Sequence, residues 1–314
     1  FESGEDSTAV LSHMTLTNGS ASQTNGGEGG GVMIYHSSPI IINCNITQNH
    51  TNATGGGIFA HAYPSGYPAP TIKNCLIYNN TAGYEGGGVK FHYSSGKIIN
   101  CTISNNHAGS GNRSAGLHLL VSNENDFIDI INTNISGNYG KQIVSDFYIG
   151  GGANIIYSNI EGGIDSVGYS DSNIGTITWG SGNIDVDPMF ADTANGNYHL
   201  LASSQLINAG HPDSTDSDGT RADIGAYPYL NSYSGPTWYV QTDGSDTDGT
   251  GASATPFASI QSAINFATTT GDSVTVAAGT YVENINFRGR NIKVVGEDRE
   301  TTIVDGNANG RVVT

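Results

Sequence analysis

The apolar residues of this chain come in short alternating runs separated by glycine, asparagine, serine or proline. From Gly55 to Asn106 one order of runs is written twice, as GGGIFAHAYPSGYPAPTIKNCLIYNN and then TAGYEGGGVKFHYSSGKIINCTISNN. Each copy holds a glycine triplet, an apolar run, a turn, a second apolar run and an Asn-Cys-x-Ile-x-x-Asn phrase. That phrase stands at Asn43-Cys44-Asn45-Ile46, Asn74-Cys75-Leu76-Ile77 and Asn100-Cys101-Thr102-Ile103, with weaker copies at Asn132-Thr133-Asn134-Ile135 and Tyr157-Ser158-Asn159-Ile160. Gly29-Gly30-Gly31, Gly55-Gly56-Gly57, Gly86-Gly87-Gly88 and then Ala115-Gly116 precede them. The runs are too short for helices, and a repeat of this length with period-two segments predicts strands stacked repeat on repeat, three strands to each. Spacing between copies varies while the phrases do not, which places the variation in loops.

Alternation assigns the faces. Val32 and Ile34, Ile58 and Ala60, Val89 and Phe91, and Leu117 and Leu119 point inward, as do Cys44, Cys75 and Cys101 with Ile46, Ile77 and Ile103. Asn43, Asn74, Asn100 and Asn132 fall where one strand bends into the next. Asparagine tolerates left-handed backbone there, and stacked asparagines can bond the backbone and one another. On the outer face Tyr35, His61 and His92 align in one column, and Met33, Phe59, Lys90 and His118 in the next.

With these phrases the chain resembles the right-handed parallel β-helix repeat proteins of the pectate-lyase-like superfamily. The resemblance implies an all-β fold: a right-handed parallel β-helix solenoid with one short amphipathic capping helix. It divides the chain into β-helix repeats over 1–184, a closing segment over 185–230, a linker over 231–236, and an N-terminal-type cap with first repeats over 237–314. The closing segment is carried by Asp187-Pro188-Met189-Phe190, Gly196-Asn197-Tyr198-His199-Leu200 and Asp223-Ile224-Gly225-Ala226-Tyr227. The cap is carried by Pro256 to Ala267, where Phe257, Ile260, Ile264 and Ala267 share one helical face, so a helix is expected over about 256–268.

The order is permuted: cap and first repeats come last. Phe1 opens in mid-repeat with no initiator methionine, as in a processed chain or a piece of a longer one, and Arg311-Val312-Val313-Thr314 joined to Phe1-Glu2 restores an uninterrupted repeat. Two arrangements answer this. Units stack or continue head to tail, with Phe1, Glu2, Arg311, Val312, Val313 and Thr314 at the junction, or the 185–235 stretch runs back and one chain closes its own fold. Geometry permits both; the head-to-tail array is preferred, since contacts that do not close into rings give filaments.

Composition narrows the function. The chain has 314 residues, only 12% charged, and a formal net charge of −17. An acidic surface argues against nucleic acid and anionic lipid as partners, and no apolar run is long enough for a membrane span. Low charge with abundant Gly, Asn, Ser and Thr fits an extracellular or cell-surface protein. The three cysteines read as buried small hydrophobes or, by distance between neighbouring repeats, as one disulfide with one left over. Sequons such as Asn18-Gly19-Ser20, Asn52-Ala53-Thr54 and Asn112-Arg113-Ser114 are candidates for glycosylation in a host that glycosylates its surface.

Candidate chemistry is sparse. Asp213, Asp216, Asp218 and Asp223, and Asp243, Asp246 and Asp248, sit at near-alternate positions around glycine and read either as Ca²⁺ loops or as solvated acidic turns. The column of His61 and His92 reads as a metal pair, a sugar-facing stripe or a plain strand surface. The regular repeats hold few acids: Glu28, Glu85, Glu124, Asp126 and Asp129, of which only the last three lie close together, and Lys90 and Arg113 have no acidic partner at an equivalent position. No catalytic constellation stands out. The expectation is a non-catalytic extracellular module of a head-to-tail surface filament, with adhesive potential, whose partners are copies of itself and surface polysaccharide. The alternative is a polysaccharide-binding or polysaccharide-degrading lyase or hydrolase.

Overall fold

A computed structural model describes residues 1–22, 27–62, 69–109, 114–121, 123–124, 126–147, 150–169 and 175–314. The loop 63–68, Arg113 and the sequon at Asn112 lie outside the described residues. The described residues are predominantly β, mostly in parallel sheets, with one α-helix among them, and they divide into two compact units.

The first unit holds Phe1–Val186 with Ala209–His211 and Ile224–Ala226. Its strands pair in parallel with their counterparts one repeat away, in register except for a shift between Ser114 and Leu117 where Ser114–Leu120 meets Lys141–Ser145. One sheet of seven strands runs in order from Val10–Ser12 through Ile40–Ile42, Thr71–Lys73 and Gly96–Ile99 to Thr176–Trp179. A sheet of six carries the Asn-Cys phrases, from Thr15–Thr17 to Asn159–Ile160, and another six-stranded sheet carries the runs after glycine, from Val32–Tyr35 to Val167–Tyr169. A fourth sheet of two-residue strands, including His50–Thr51, Thr81–Ala82 and His107–Ala108, was not expected. Strands of two residues are too short for alternation to reveal.

Stacking in register lines up like with like. Ile41, Ile72, Ile98, Ile130 and Ile155 form one column and Ile46, Ile77, Ile103, Ile135 and Ile160 another, every one at 0% exposure. Burying one such side chain is worth about 1.5–3 kcal/mol. Cys44, Cys75 and Cys101 belong to the same core as free thiols.

Each bend is held by asparagine. Asn43, Asn74, Asn100 and Asn132 have φ of 53°, 50°, 50° and 49°. Asn74 Nδ2 donates to Asn43 Oδ1 at 3.0 Å, and Asn132 Nδ2 to Asn100 Oδ1 at 3.1 Å. A second ladder runs deeper, through the last residue of the phrase: Asn49, Asn80, Asn106 and Asn138. Asn49 Nδ2 donates to Asn80 Oδ1, Asn80 Nδ2 to Asn106 Oδ1 and Asn106 Nδ2 to Asn138 Oδ1, each at 3.0 Å. The same oxygens accept the backbone N–H groups of Asn49, Asn80 and Asn106. These buried polar groups are thus satisfied by one another, as burial demands.

The glycine triplets have two causes. Gly55 stands at φ +73°, in the left-handed region, while a Cβ on Gly57 would lie 2.5 Å from the Gly88 carbonyl oxygen of the next repeat. The first glycine turns the chain and the third lets two backbones approach.

The second unit holds Asp187–Asn208, Pro212–Asp223 and Tyr227–Thr314. The predicted 185–230 segment is therefore divided between the two units. Thr237–Val240, Ser273–Val276 and Lys293–Gly296 form a parallel sheet, Gly279–Val282 pairs in parallel with Thr302–Asp305, and Phe190–Asp192 pairs antiparallel with Asn197–Leu200. The α-helix spans Ile260–Phe266, shorter than the expected 256–268. Phe257 is taken by the sheet instead: its N–H donates to Tyr239 O and its carbonyl accepts Gln241 N–H. Two acids then fix the helix start. Asp246 Oδ1 accepts from Ala258 and Ser259 N–H, and the Glu283 carboxylate from Ile260 and Gln261 N–H. Arg290 Nη1 meets the Asn265 carbonyl at the other end, at 2.7 Å. The helix carries Asn265, whose amide donates to the carbonyls of Ala202 and Ser204 at 3.1 and 2.8 Å.

Replacing Asn106 by Leu strips partners from buried groups of Asn80 and Asn138. Urea unfolding followed by far-UV circular dichroism should show a loss of about 3 kcal/mol, against about 1 kcal/mol for Ile103→Val in the same repeat.

Candidate functional site

The outer face of the sheet after glycine brings together several titratable groups of the first unit. Its columns are Met33, Phe59, Lys90, His118 and Val144, and beside them Tyr35, His61, His92 and Leu120. Its middle is buried while Met33, Tyr35, His61 and His92 are half-buried. Phe59 is 4%, Lys90 5% and His118 1% exposed.

Two acids join the face from outside its strands. Glu85 precedes the triplet Gly86-Gly87-Gly88, and Gly86, at φ +65°, turns the chain so that Glu85 Oε2 lies 2.8 Å from Lys90 Nζ. Lys90 has no acid at an equivalent position of the neighbouring repeats, Phe59 and His118 standing beside it, but it finds an acidic partner in the turn of its own repeat, where a search along columns does not look. Asp146 follows the strand Lys141–Ser145. Its N–H donates to Leu119 O at 2.8 Å, and its Oδ2 lies 3.0 Å from His118 Nε2. His118 Nδ1 is 3.8 Å from Glu85 Oε2, and the donor atoms of Glu85, His118 and Asp146 all lie within 4.8 Å of one another. Among the described residues this is the one such group of three or more histidine, cysteine and acidic side chains.

Electrostatics follow from burial and crowding. Burial pushes the Glu85 carboxyl up, but His118 and the hydrogen-bonded Lys90 ammonium outweigh it and hold the group below the usual carboxylate range. Burial, then Lys90, His61 and His118, push His92 down to about 3. His92 Nδ1 lies 2.8 Å from His61 Nδ1, so the two histidines of the expected column bond each other. Tyr35 stacks on His61 with ring centroids 5.1 Å apart, and the His92 ring, tilted by 41°, lies 4.8 Å from that of His61. Of the other expected acids, Asp129 faces Lys97 at 4.0 Å and accepts from Asn154 Nδ2 at 2.9 Å.

In the second unit the aspartates of the acidic loops act on backbone. Asp223 accepts from Asn208 and Tyr229 N–H, both at 2.7 Å, and burial raises its pKa well above the ordinary value. Asp216 accepts from Asp223 N–H and is pushed up to about 6 by burial and by neighbouring Asp218. Asp218 accepts from Thr220 and Asn231 N–H. Asp246 holds the residues just before the helix as described, while Asp213, Asp243 and Asp248 are exposed. A cavity of about 910 Å³ in this unit is lined by Arg221, Asn231, Tyr233, Trp238 and Arg290, among others.

No family model, curated protein or solved structure matches the chain. Among the described residues no helix is long and apolar enough to cross a membrane.

His92 supplies a pH dependence with a definite sign. Its folded pKa lies below the ordinary value, so between about 6.5 and about 3 the unfolded chain binds a proton that the folded chain refuses. Stability conferred by neutral His92 is complete above that window and is lost as pH falls through it. The urea midpoint of the natural protein should therefore drop more between pH 7 and pH 5 than that of His92→Gln.

Proposed function

We propose that this chain is a non-catalytic, extracellular structural module: a right-handed parallel β-helix whose open strand edges stack on those of further copies, head to tail, in a surface filament. The reading applies to copies along one chain as well as to separate chains. In-register parallel strands, uniform apolar columns and asparagine ladders support the β-helix. Loops and outer faces then remain free for adhesive contact with surface polysaccharide.

The observation that carries assembly is a loss of burial at the outermost strands of each unit. Inward columns stand at 0% at Ile41 and Ile46, yet their partners Leu11 and Leu16 on the edge strands are only partly buried. In the second unit Ile285 is 4% exposed, but its bridge partner Val313 is 51% exposed. Val10, Met14, Val295 and Ile303 add exposed apolar surface at the same edges, at 55%, 53%, 52% and 47%. An unpaired strand edge with apolar side chains is a template for another strand.

The polysaccharide-active alternative draws on the cluster of Glu85, Lys90, His118 and Asp146, which joins acids and bases in one place. Burial of His118 and Lys90 weighs against it, because a polymer must reach its catalytic groups.

Negative-stain microscopy and sedimentation over rising concentration should show end-to-end particles that lengthen. Val313→Glu should abolish the lengthening and leave the monomer folded, whereas Tyr84→Lys, away from the edges, should not. Dispersed single particles at every concentration would remove the assembly. Release of sugar fragments from acidic polysaccharides would remove the non-catalytic reading.

A further inference from the structure

His118 carries an atom that the fold leaves unused. The ring is 1% exposed, Asp146 Oδ2 holds Nε2 at 3.0 Å, and Nδ1 is buried with no hydrogen-bond partner among the described residues. In the neutral ring, which is the form that ligates a metal, a carboxylate on one nitrogen draws the proton there and leaves a lone pair on the other. That lone pair faces Glu85, with Oε2 at 3.8 Å.

We propose that Glu85 and His118 Nδ1 bind one divalent transition-metal ion of the zinc type, with Asp146 as the carboxylate that orients the ring. A gap of 3.8 Å is bridged by two metal–ligand bonds of about 2.1 Å. Imidazole nitrogen with a single carboxylate suits Zn²⁺ or Co²⁺ rather than Ca²⁺, which prefers an all-oxygen shell. The Glu85 side chain is 31% exposed, so an ion and its remaining water ligands enter from that side. Glu85, His118 and Asp146 come from three successive repeats, and an ion between the first two ties neighbouring repeats together. The ammonium of Lys90, 2.8 Å from Glu85 Oε2, is the cation that the metal must displace or tolerate. This competition separates a metal site from a merely structural polar cluster, because removing Lys90 should then strengthen binding.

The test uses the full chain and Zn²⁺ in competition with a chromophoric chelator, with Co²⁺ absorption as a second readout. The natural protein should bind one equivalent at this site. Binding should weaken at least about tenfold in Glu85→Gln, His118→Asn and Asp146→Asn, and should tighten about tenfold in Lys90→Met, where a buried repulsion is lost. Asp216→Asn with Asp218→Asn, in the second unit, should leave it unchanged. If His118→Asn fails to fold by circular dichroism, Glu85→Gln and Lys90→Met decide. Uptake that is equal in natural protein and Glu85→Gln overturns the proposal. So does no uptake by the natural protein, or weaker binding in Lys90→Met.

Discussion

The hydrogen bonding of each repeat's backbone to the next, in register, is the constraint from which the other features of the first unit follow. Parallel in-register pairing puts identical positions directly above one another. A column must then be filled by residues that tolerate their own kind as neighbours. Isoleucine does so by packing, and asparagine does so because its amide offers a donor to one neighbour and an acceptor to the other. A charged residue does not. This accounts for a chain of 314 residues with only 12% charged positions. Glycine enters for the same reason, since beside Gly88 O the neighbouring backbone leaves no room for a Cβ on Gly57.

The same geometry explains which parts of the molecule could be read from the sequence. Alternation placed Val32, Ile34, Val89, Phe91 and the isoleucines of the Asn-Cys phrase on the inner face, because period two is a property of each strand by itself. The outer columns of Tyr35, His61 and His92, and of Lys90 and His118, were legible because matching phrases give the register. The deep ladder of Asn49, Asn80, Asn106 and Asn138 was visible as the last letter of the phrase but had no assigned role. An asparagine before a turn looks the same whether it faces solvent or a buried neighbour. Glu85 and Asp146 were out of reach for another reason. Both lie just beyond strand ends, one before a left-handed glycine and one after a strand whose phrase has decayed, so no repeat position predicts where their carboxylates go. The helix start failed in a comparable way: Phe257 fits a helical face, but backbone pairing with Tyr239 and Gln241 takes it first.

Outward columns depart from the rule that like stacks on like, as in Ile40, Thr71, Lys97, Asp129 and Asn154, and burial of Lys90 and His118 is the costliest departure. Phe59 is followed by Lys90 and Lys90 by His118, so each repeat must supply its own answer to a new polar group. Glu85 answers Lys90 from within one repeat, and Asp146 answers His118 from the next. The arrangement balances charge pairwise rather than along a column, and it leaves Nδ1 of His118 over. Removing one member of such a set leaves its partner buried and uncompensated, which costs several kcal/mol in comparable buried pairs.

The strand edges and the net charge act in opposite directions on association. Natural edge strands are usually blunted by charge, proline or a bulge. Val10–Ser12 carries no charged residue, and Lys293–Gly296 carries one lysine at its start. Apolar burial at these edges favours stacking at short range, while a formal charge of −17 on every copy opposes approach at long range. Salt screens the second effect over about 10 Å at 0.1 M and leaves the first nearly intact. Repulsion of this kind acts sideways and end-on alike, whereas Leu11, Leu16 and Val313 mark the edges as the places where the inward columns lose burial. Under the assembly proposed above, these two terms together select an edge-on-edge contact, along the direction in which the repeats of the first unit stack.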